Sequence, residues 1–272
     1  MSDNRLQILI SSVNKNPEFL PEAMNLESDA VLVNQLIGDA APEGIDSGEK
    51  TFKYNGHSVL VLNRREKGVG LSRNTALENS DHEIIQFGDD DIVYDKGYAE
   101  RILSEFDAHP EADMLLFNVK AQAGRETYWN EDFKKVSWYN YGRYPAYAIC
   151  ARRDKLKKSG VKYSLLFGGG ARYMNGEDTL FLHDCLKAGL SIYRTTVSLG
   201  KEKPGQSTWF DGYTDKFFFD RGVLYHFIYG AMAPVWGFRY LFKNRKEFCV
   251  EKGLFKSYKL LCDGIRHGRK CL

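Results

Sequence analysis

Three short stretches of this chain hold residue types suited to handling phosphate, metal ions and protons. The first, G-L-S-R-N-T-A-L from Gly70, sets Arg73 and Asn74 near the start of a helical pattern. An arginine there can grip phosphate oxygens with two parallel N–H groups while the helix N-terminus adds its dipole. Lys67, just upstream, offers a second and more mobile phosphate contact. Next comes E-I-I-Q-F-G-D-D-D, an apolar run ending in Asp89, Asp90 and Asp91. Carboxylates two apart in a tight turn can reach a hard divalent cation and a ribose hydroxyl. Three adjacent carboxylates also repel one another unless a cation or open water relieves them. The third, G-E-D-T from Gly176, puts Asp178 where it can accept a proton from an incoming hydroxyl, with Glu177 as the rival. Each has a plain structural alternative: a capped acidic turn for the triplet, a surface arginine, and a helix N-cap for Asp178.

Positioning such residues calls for a sheet whose strand ends and helix starts converge. Apolar runs recur at Leu6–Ser11, Ala30–Gln35, Ser58–Asn63, Glu83–Gly88 and Met114–Val119. Their near-continuous Val/Ile/Leu character predicts strands buried on both faces, in a mostly parallel sheet covered by helices. Helical patterns fall between them at Leu71–Asn79 and Tyr98–Ala108, the second with Ile102, Leu103 and Phe106 at helical spacing. The Gly/Pro/Asp-rich connector between Ala40 and Asn55 predicts a loop or hairpin. Farther on, Tyr147–Ala151 reads as a strand, Arg152–Lys158 as a basic helix and Gly176–Ala188 as a helix. The alternation is that of an α/β fold, in which ligands gather at the carboxyl ends of the strands. The aromatic segment through Trp138, Tyr141 and Tyr144 marks the half expected to meet an acceptor, with Trp138, Tyr141 and Trp209 as candidates for stacking on a bound ligand. Ser207-Thr208-Trp209, after a K-E-K-P-G turn, reads as a loop able to close over bound ligands.

A chain of 272 residues is long enough for one large α/β domain with a small appendage. Its net charge of +2 hides an asymmetry. Residues 1–214 carry 26 Lys and Arg against 31 Asp and Glu, and residues 215–272 carry 12 against 5. The division predicts a catalytic domain over 1–214 and a basic, aromatic, helical extension over 215–272. Such a tail suits an anionic surface, membrane or nucleic acid, or it is simply a solvated helical cap. The longest stretch of the tail free of charged side chains, Gly222–Phe238, falls short of the ~20 apolar residues that span a bilayer. Five scattered cysteines without a C-x-x-C pair suggest neither a zinc site nor a disulfide framework and favour a reducing compartment. The N-terminus shows no signal-peptide pattern.

From the first strand to about Thr214 the chain resembles the inverting family-two glycosyltransferases of the GT-A fold. The matching residues are I-S-S-V-N at the end of the first strand, G-L-S-R-N-T-A-L, the F-G-D-D-D strand end and the late G-E-D-T-L-F-L. The resemblance implies a UDP-sugar donor with Mn²⁺ or Mg²⁺. It places Asp89 and Asp91 at the acidic positions that serve the metal, Asp91 as ligand and Asp89 nearer the ribose. It further implies that Arg73 touches the donor nucleotide or diphosphate, that Ser12 and Asp90 also face the donor, and that Asp178 is the catalytic base. One departure is the second strand, which ends V-L-V-N-Q, at Asn34 and Gln35, where many members carry an acidic V-D-D-G-S that helps hold the nucleobase; an amide can still offer both donor and acceptor to a uracil edge. The variant looks like bacterial enzymes that build capsules and other surface polysaccharides on a growing glycan or lipid-linked acceptor. The implied location is cytoplasmic, with peripheral contact to an anionic membrane and no nucleic-acid partner. The rival readings are a sugar-nucleotide-forming nucleotidyltransferase, which calls for a glycine-rich loop absent from I-S-S-V-N-K-N-P, and a non-catalytic carbohydrate-binding protein.

Overall fold

The computed structural model describes residues 4–38, 42–205 and 212–271. In chain order the first half comprises β1 (Leu6–Val13), α1 (Leu20–Met24), β2 (Asp29–Gln35), β3 (Gly48–Tyr54), β4 (His57–Arg64), α2 (Val69–Glu78), β5 (Ile84–Asp89), β6 (Ile92–Tyr94), α3 (Tyr98–Ala108) and β7 (Met114–Lys120). Then follow β8 (Lys134–Lys135), β9 (Ile149–Arg152), α4 (Arg153–Ser159), α5 (Glu177–Lys187) and β10 (Ile192–Glu202). The tail adds α6 (Asp215–Tyr229), α7 (Ala233–Lys243), α8 (Arg245–Phe248) and α9 (Leu254–Gly268).

The strands form one sheet in the order β3-β4-β2-β1-β5-β9-β7-β10-β6, with β8 on β10. The expected parallel character holds for β4-β2-β1-β5, whose strand centres are apolar and largely buried on both faces. Beyond β5 the sheet is mixed, because β9 inserts antiparallel to both β5 and β7. The Gly48–Tyr54 strand makes the connector before β4 a hairpin. Its tip is Asn55-Gly56, both at positive φ (48° and 86°), the turn whose twist matches that of paired strands.

Helix α2 begins at Val69, two residues before the apolar pattern suggested, because its buried face includes Ser72, Arg73 and Asn74 as well as Ala76 and Leu77. Arg73 therefore lies in the second turn, beyond the free backbone N–H groups of the helix start. Helix α3 buries Ile102, Leu103 and Phe106, as its spacing predicts.

The tail packs on itself and on the body. Thr214 caps α6 by accepting from the Phe217 amide, and α6 and α9 touch backbone to backbone at Gly222 and Gly264. A methyl group at Gly264 would sit 1.9 Å from the Phe219 carbonyl oxygen. Val223 and Leu224 of α6 pack with Phe167, Tyr173 and Leu180 of the body. Buried Asp220 accepts from the Met174 amide (2.9 Å), and Arg221 donates to Asn175 Oδ1 (3.2 Å). The tail thus holds the loop leading into α5. Among the described residues no helix is long and apolar enough to cross a membrane.

Candidate active site

The carboxyl ends of β1, β5 and β10 and the start of α5 enclose a cavity of about 880 Å³. That volume suits a small-molecule ligand of nucleotide-sugar size. Asp89, at the end of β5, pairs in register with Ser11 of β1. Asp178 enters from the first turn of α5, whose N-cap is Gly176. Asp178 is not the cap: its Oδ2 accepts from the Ala146 amide (3.1 Å), and its Oδ1 accepts from Arg73.

Arg73 organises this floor. Its Nη1 donates to Asp178 Oδ1 at 2.7 Å and its Nη2 to Asp89 Oδ1 at 3.1 Å, while Glu177 Oε1 lies 3.6 Å from Nη1. The guanidinium is 4% exposed and sits 5.0 Å from the ring centroid of Tyr163. Burial opposes its charge, yet Asp178 and Asp89 more than compensate and hold it well above its ordinary pKa. This differs from the expected diphosphate contact. A buried guanidinium needs carboxylate partners, and the fold supplies them from two elements that are distant in sequence.

The carboxyl groups feel the opposite pressure. Burial pushes Asp178 up to about 7 against the pull of Arg73, with Glu177 and Asp89 adding like-charge repulsion. Asp91 rises to about 7 through burial, then through Asp89, Asp90 and Glu202. Asp90 rises to about 6 through burial, moderated by Lys15. Six carboxylates and four cationic side chains line the cavity, leaving it negative overall. A diphosphate adds further negative charge, so its entry calls for a cation. The oxygen donors of Asp89 and Asp91 fit a hard divalent ion. Among the described residues no group of three or more ligating side chains could hold a metal by itself, so phosphate and water oxygens would complete the shell.

The remaining predicted residues divide. Ser12 and Gln35 line the cavity together with Asp89, Asp90 and Asp91. Gln35 also clamps Gly68, donating to its carbonyl (3.0 Å) and accepting from its amide (3.2 Å). Asn34 is fully buried and outside the lining. Its Oδ1 accepts from Ser12 and the Lys15 amide, and its Nδ2 donates to the Lys15 carbonyl and Asn63. With its hydrogen-bonding capacity spent, Asn34 holds the Lys15 turn instead of meeting a nucleobase. Lys67 is exposed, with its stem beside Gly170, and is not part of the lining. Trp138 and Tyr141 also lie outside it, packed near the His183 ring. Ser207, Thr208 and Trp209 fall outside the described residues.

The structure adds Lys15, Arg125, Glu202 and Lys203 to the lining. Arg125 pairs with Glu202 at 3.0 Å, and the Lys203 amide donates to the Asp91 carbonyl at 2.7 Å. Position was the available signal: Lys15 follows the end of β1, and Lys203 directly follows β10 in K-E-K-P-G.

This sheet, with an acidic strand end beside a helix-borne carboxylate, has the architecture of the GT-A fold. The chain belongs to glycosyl transferase family 2, whose family model matches residues 8–162. Asp178 lies beyond that match. A search of curated proteins finds no match. Among solved structures the chain is similar to residues 1–349 of S. aureus TarS, with a TM-score of 0.63 at 17% identity, covering 96% of this chain and 80% of that one. The same fragment in complex with UDP-GlcNAc gives a TM-score of 0.62 at 16% identity, covering 89% and 73%. A longer S. aureus TarS structure gives 0.64 at 17% identity, and there the match covers 96% of this chain and 49% of the other. At such identities the likeness is one of fold.

Proposed function

We propose that this glycosyltransferase moves a hexose from a UDP-sugar to a hydroxyl of a growing glycan or lipid-linked glycan in bacterial surface polysaccharide synthesis. It acts with inversion and metal dependence in the cytoplasm, peripheral to the inner face of the plasma membrane. The observation that carries the reading is the sharing of one buried guanidinium by Asp89, at a strand end suited to the donor, and Asp178, at a helix start suited to the acceptor. The S. aureus TarS fragment, similar in fold, has been crystallised with UDP and with UDP-GlcNAc, which supports a UDP-linked donor.

In this reading the acceptor hydroxyl passes its proton to Asp178 as its oxygen bonds to the anomeric carbon. The bond from that carbon to the β-phosphate oxygen breaks on the opposite face, and UDP leaves with the electron pair. One displacement inverts the configuration. A base raised to about 7 is matched to proton transfer near neutrality. Arg73 fixes the carboxylate and keeps it from turning away. Lys15 and Lys203 offer positive charge to the diphosphate, and Gln35 and Ser12 line the donor side. Mn²⁺ or Mg²⁺, held by Asp91 with Asp89, would supply neutralisation of the leaving diphosphate.

The test is titration calorimetry of UDP with and without Mn²⁺, followed by NMR of the product's anomeric configuration. The expected result is metal-dependent UDP binding and an inverted linkage. Absence of UDP binding and of UDP-sugar turnover in the presence of Mn²⁺ would sink the proposal.

A further inference from the structure

Helix α7 has two apolar stripes, and the fold uses only one. The inner stripe, Ala233, Gly237 and Leu241, is buried; a methyl group at Gly237 would lie 2.5 Å from Leu261 of α9. The outer stripe, Val235, Phe238 and Phe242, follows i, i+3, i+7 spacing and is 59%, 39% and 49% exposed. It continues onto α9, where Tyr258 meets Phe238 edge-on at 5.2 Å and Phe255, one turn earlier, is 83% exposed. Scattered exposed apolar side chains are ordinary, but a continuous set across two helices is not.

Cations are interleaved with these side chains. Between Met232 and Lys259 the sequence carries seven Lys and Arg against only Glu247 and Glu251. Lys252 pairs with Asp215 and Glu247 accepts from Tyr213. Among the described residues Arg239, Lys243, Lys246, Lys256 and Lys259 form no ion pair. Arg245 lies 4.4 Å from the ring centroid of Phe242, so cation and apolar surface share one face.

We infer that the outer face of α7 and the start of α9 docks on an anionic lipid bilayer, with Phe242 and Phe255 entering the headgroup layer and the lysines facing lipid phosphates. This deepens the peripheral placement proposed above and rests on it, while standing apart from the chemistry of the cleft. Both halves of the surface are used only there. A second copy in a two-fold contact would bring the same positive surplus against itself, and a nucleic-acid backbone leaves the apolar stripe without a partner. The tail braces the loop before α5 through Asp220 and Arg221, so the full chain, and not a truncation, is the proper material.

The experiment is flotation of the full chain with phosphatidylcholine vesicles and with vesicles containing 30% phosphatidylglycerol, roughly a physiological share of anionic lipid. Binding is expected only to the anionic vesicles and should be released at high salt, where screening shortens to a few ångströms. Lys243→Ala/Lys246→Ala/Lys256→Ala should weaken it about 10²-fold, near fivefold for each cation. Phe242→Ser/Phe255→Ser, at exposed positions that leave net charge unchanged, should abolish flotation while the thermal shift with UDP and Mn²⁺ stays as in the parent. If the parent fails to float with anionic vesicles, or the Phe variant floats as well as the parent, the inference is wrong. A dimer by light scattering that the Phe variant dissolves would assign the face to a second copy, and vesicle-independent RNA binding would assign it to nucleic acid. Loss of the UDP response with flotation intact would overturn the cleft reading and leave this one standing.

Discussion

The cleft and the outer face of the tail hold opposite surpluses of charge under opposite conditions. In the cleft six carboxylates face four cations, and burial raises Asp90, Asp91 and Asp178 well above the usual carboxylate range. On the tail the surplus is positive and exposed, where salt screens each charge beyond about 8 Å. Buried charges interact strongly and in pairs, so Arg73, Asp89 and Asp178 form a unit from which no member can be exchanged. Exposed charges add nearly independently, so the lysines of the tail are individually dispensable. Substitutions in the cleft should therefore act in large, specific steps, and those on the tail in small, cumulative ones.

The sharpest way to break this contrast is Asp178→Asn. Loss of a general base should reduce transfer by about 10³-fold, with UDP affinity within roughly threefold of the parent. Retained turnover would pass the role to Glu177. Asp91→Asn comes next: a fall in rate of ~10²–10³-fold, together with loss of the Mn²⁺ dependence of UDP binding by calorimetry. If metal-dependent binding survives, the cation is held elsewhere. Arg73→Met leaves the half-buried carboxylates of Asp89 and Asp178 without their counter-ion and should cost about 3 kcal/mol in urea unfolding, the low end for breaking a buried pair. An effect near zero would mean that the unit is not coupled.

The pH profile follows from Asp178. Its carboxylate form is the base and burial raises it to about 7, so kcat/KM should climb tenfold per unit below that value and level off above it. Stability runs the other way. A raised carboxyl pKa means the folded state binds the proton more tightly than the unfolded chain. That contribution is complete below about 3.9 and is lost as pH rises through about 7. The ligand-free Tm should therefore fall between pH 5 and pH 7.5, and a rising Tm would contradict the assignment. Smallest in the cleft is Lys203→Ala, for which loss of one charged phosphate contact predicts about a tenfold higher donor KM with little change in kcat.

Much of the scaffold was legible because its signals are local. The runs that became β1, β2, β4, β5 and β7 have apolar centres rich in Val, Ile and Leu, and burial on both faces requires little else. The mixed half was harder to read. Strand β9 is four residues long, and nothing in I-C-A-R says that it will insert antiparallel between β5 and β7. The start of α2 was obscured for a related reason: its buried face is largely polar, so hydrophobic spacing could not mark it.

In the cleft the acids were visible as short motifs, whereas their partners were not. Asp89, Asp90 and Asp91 follow an apolar strand directly, and Asp178 follows Gly176 at a helix start, so type and placement were set by adjacent residues. The Arg73–Asp178 contact joins positions 105 apart, and only tertiary packing creates it. The same packing spent the amide of Asn34 on the Lys15 turn and brought Lys15 and Lys203 to the cavity. For the tail, composition foretold a basic, aromatic helical segment, but only tertiary structure decided which aromatics it buries and which it presents to solvent. Local sequence determines what a segment can become, while hydrogen-bond saturation and charge pairing depend on neighbours that only the folded chain provides.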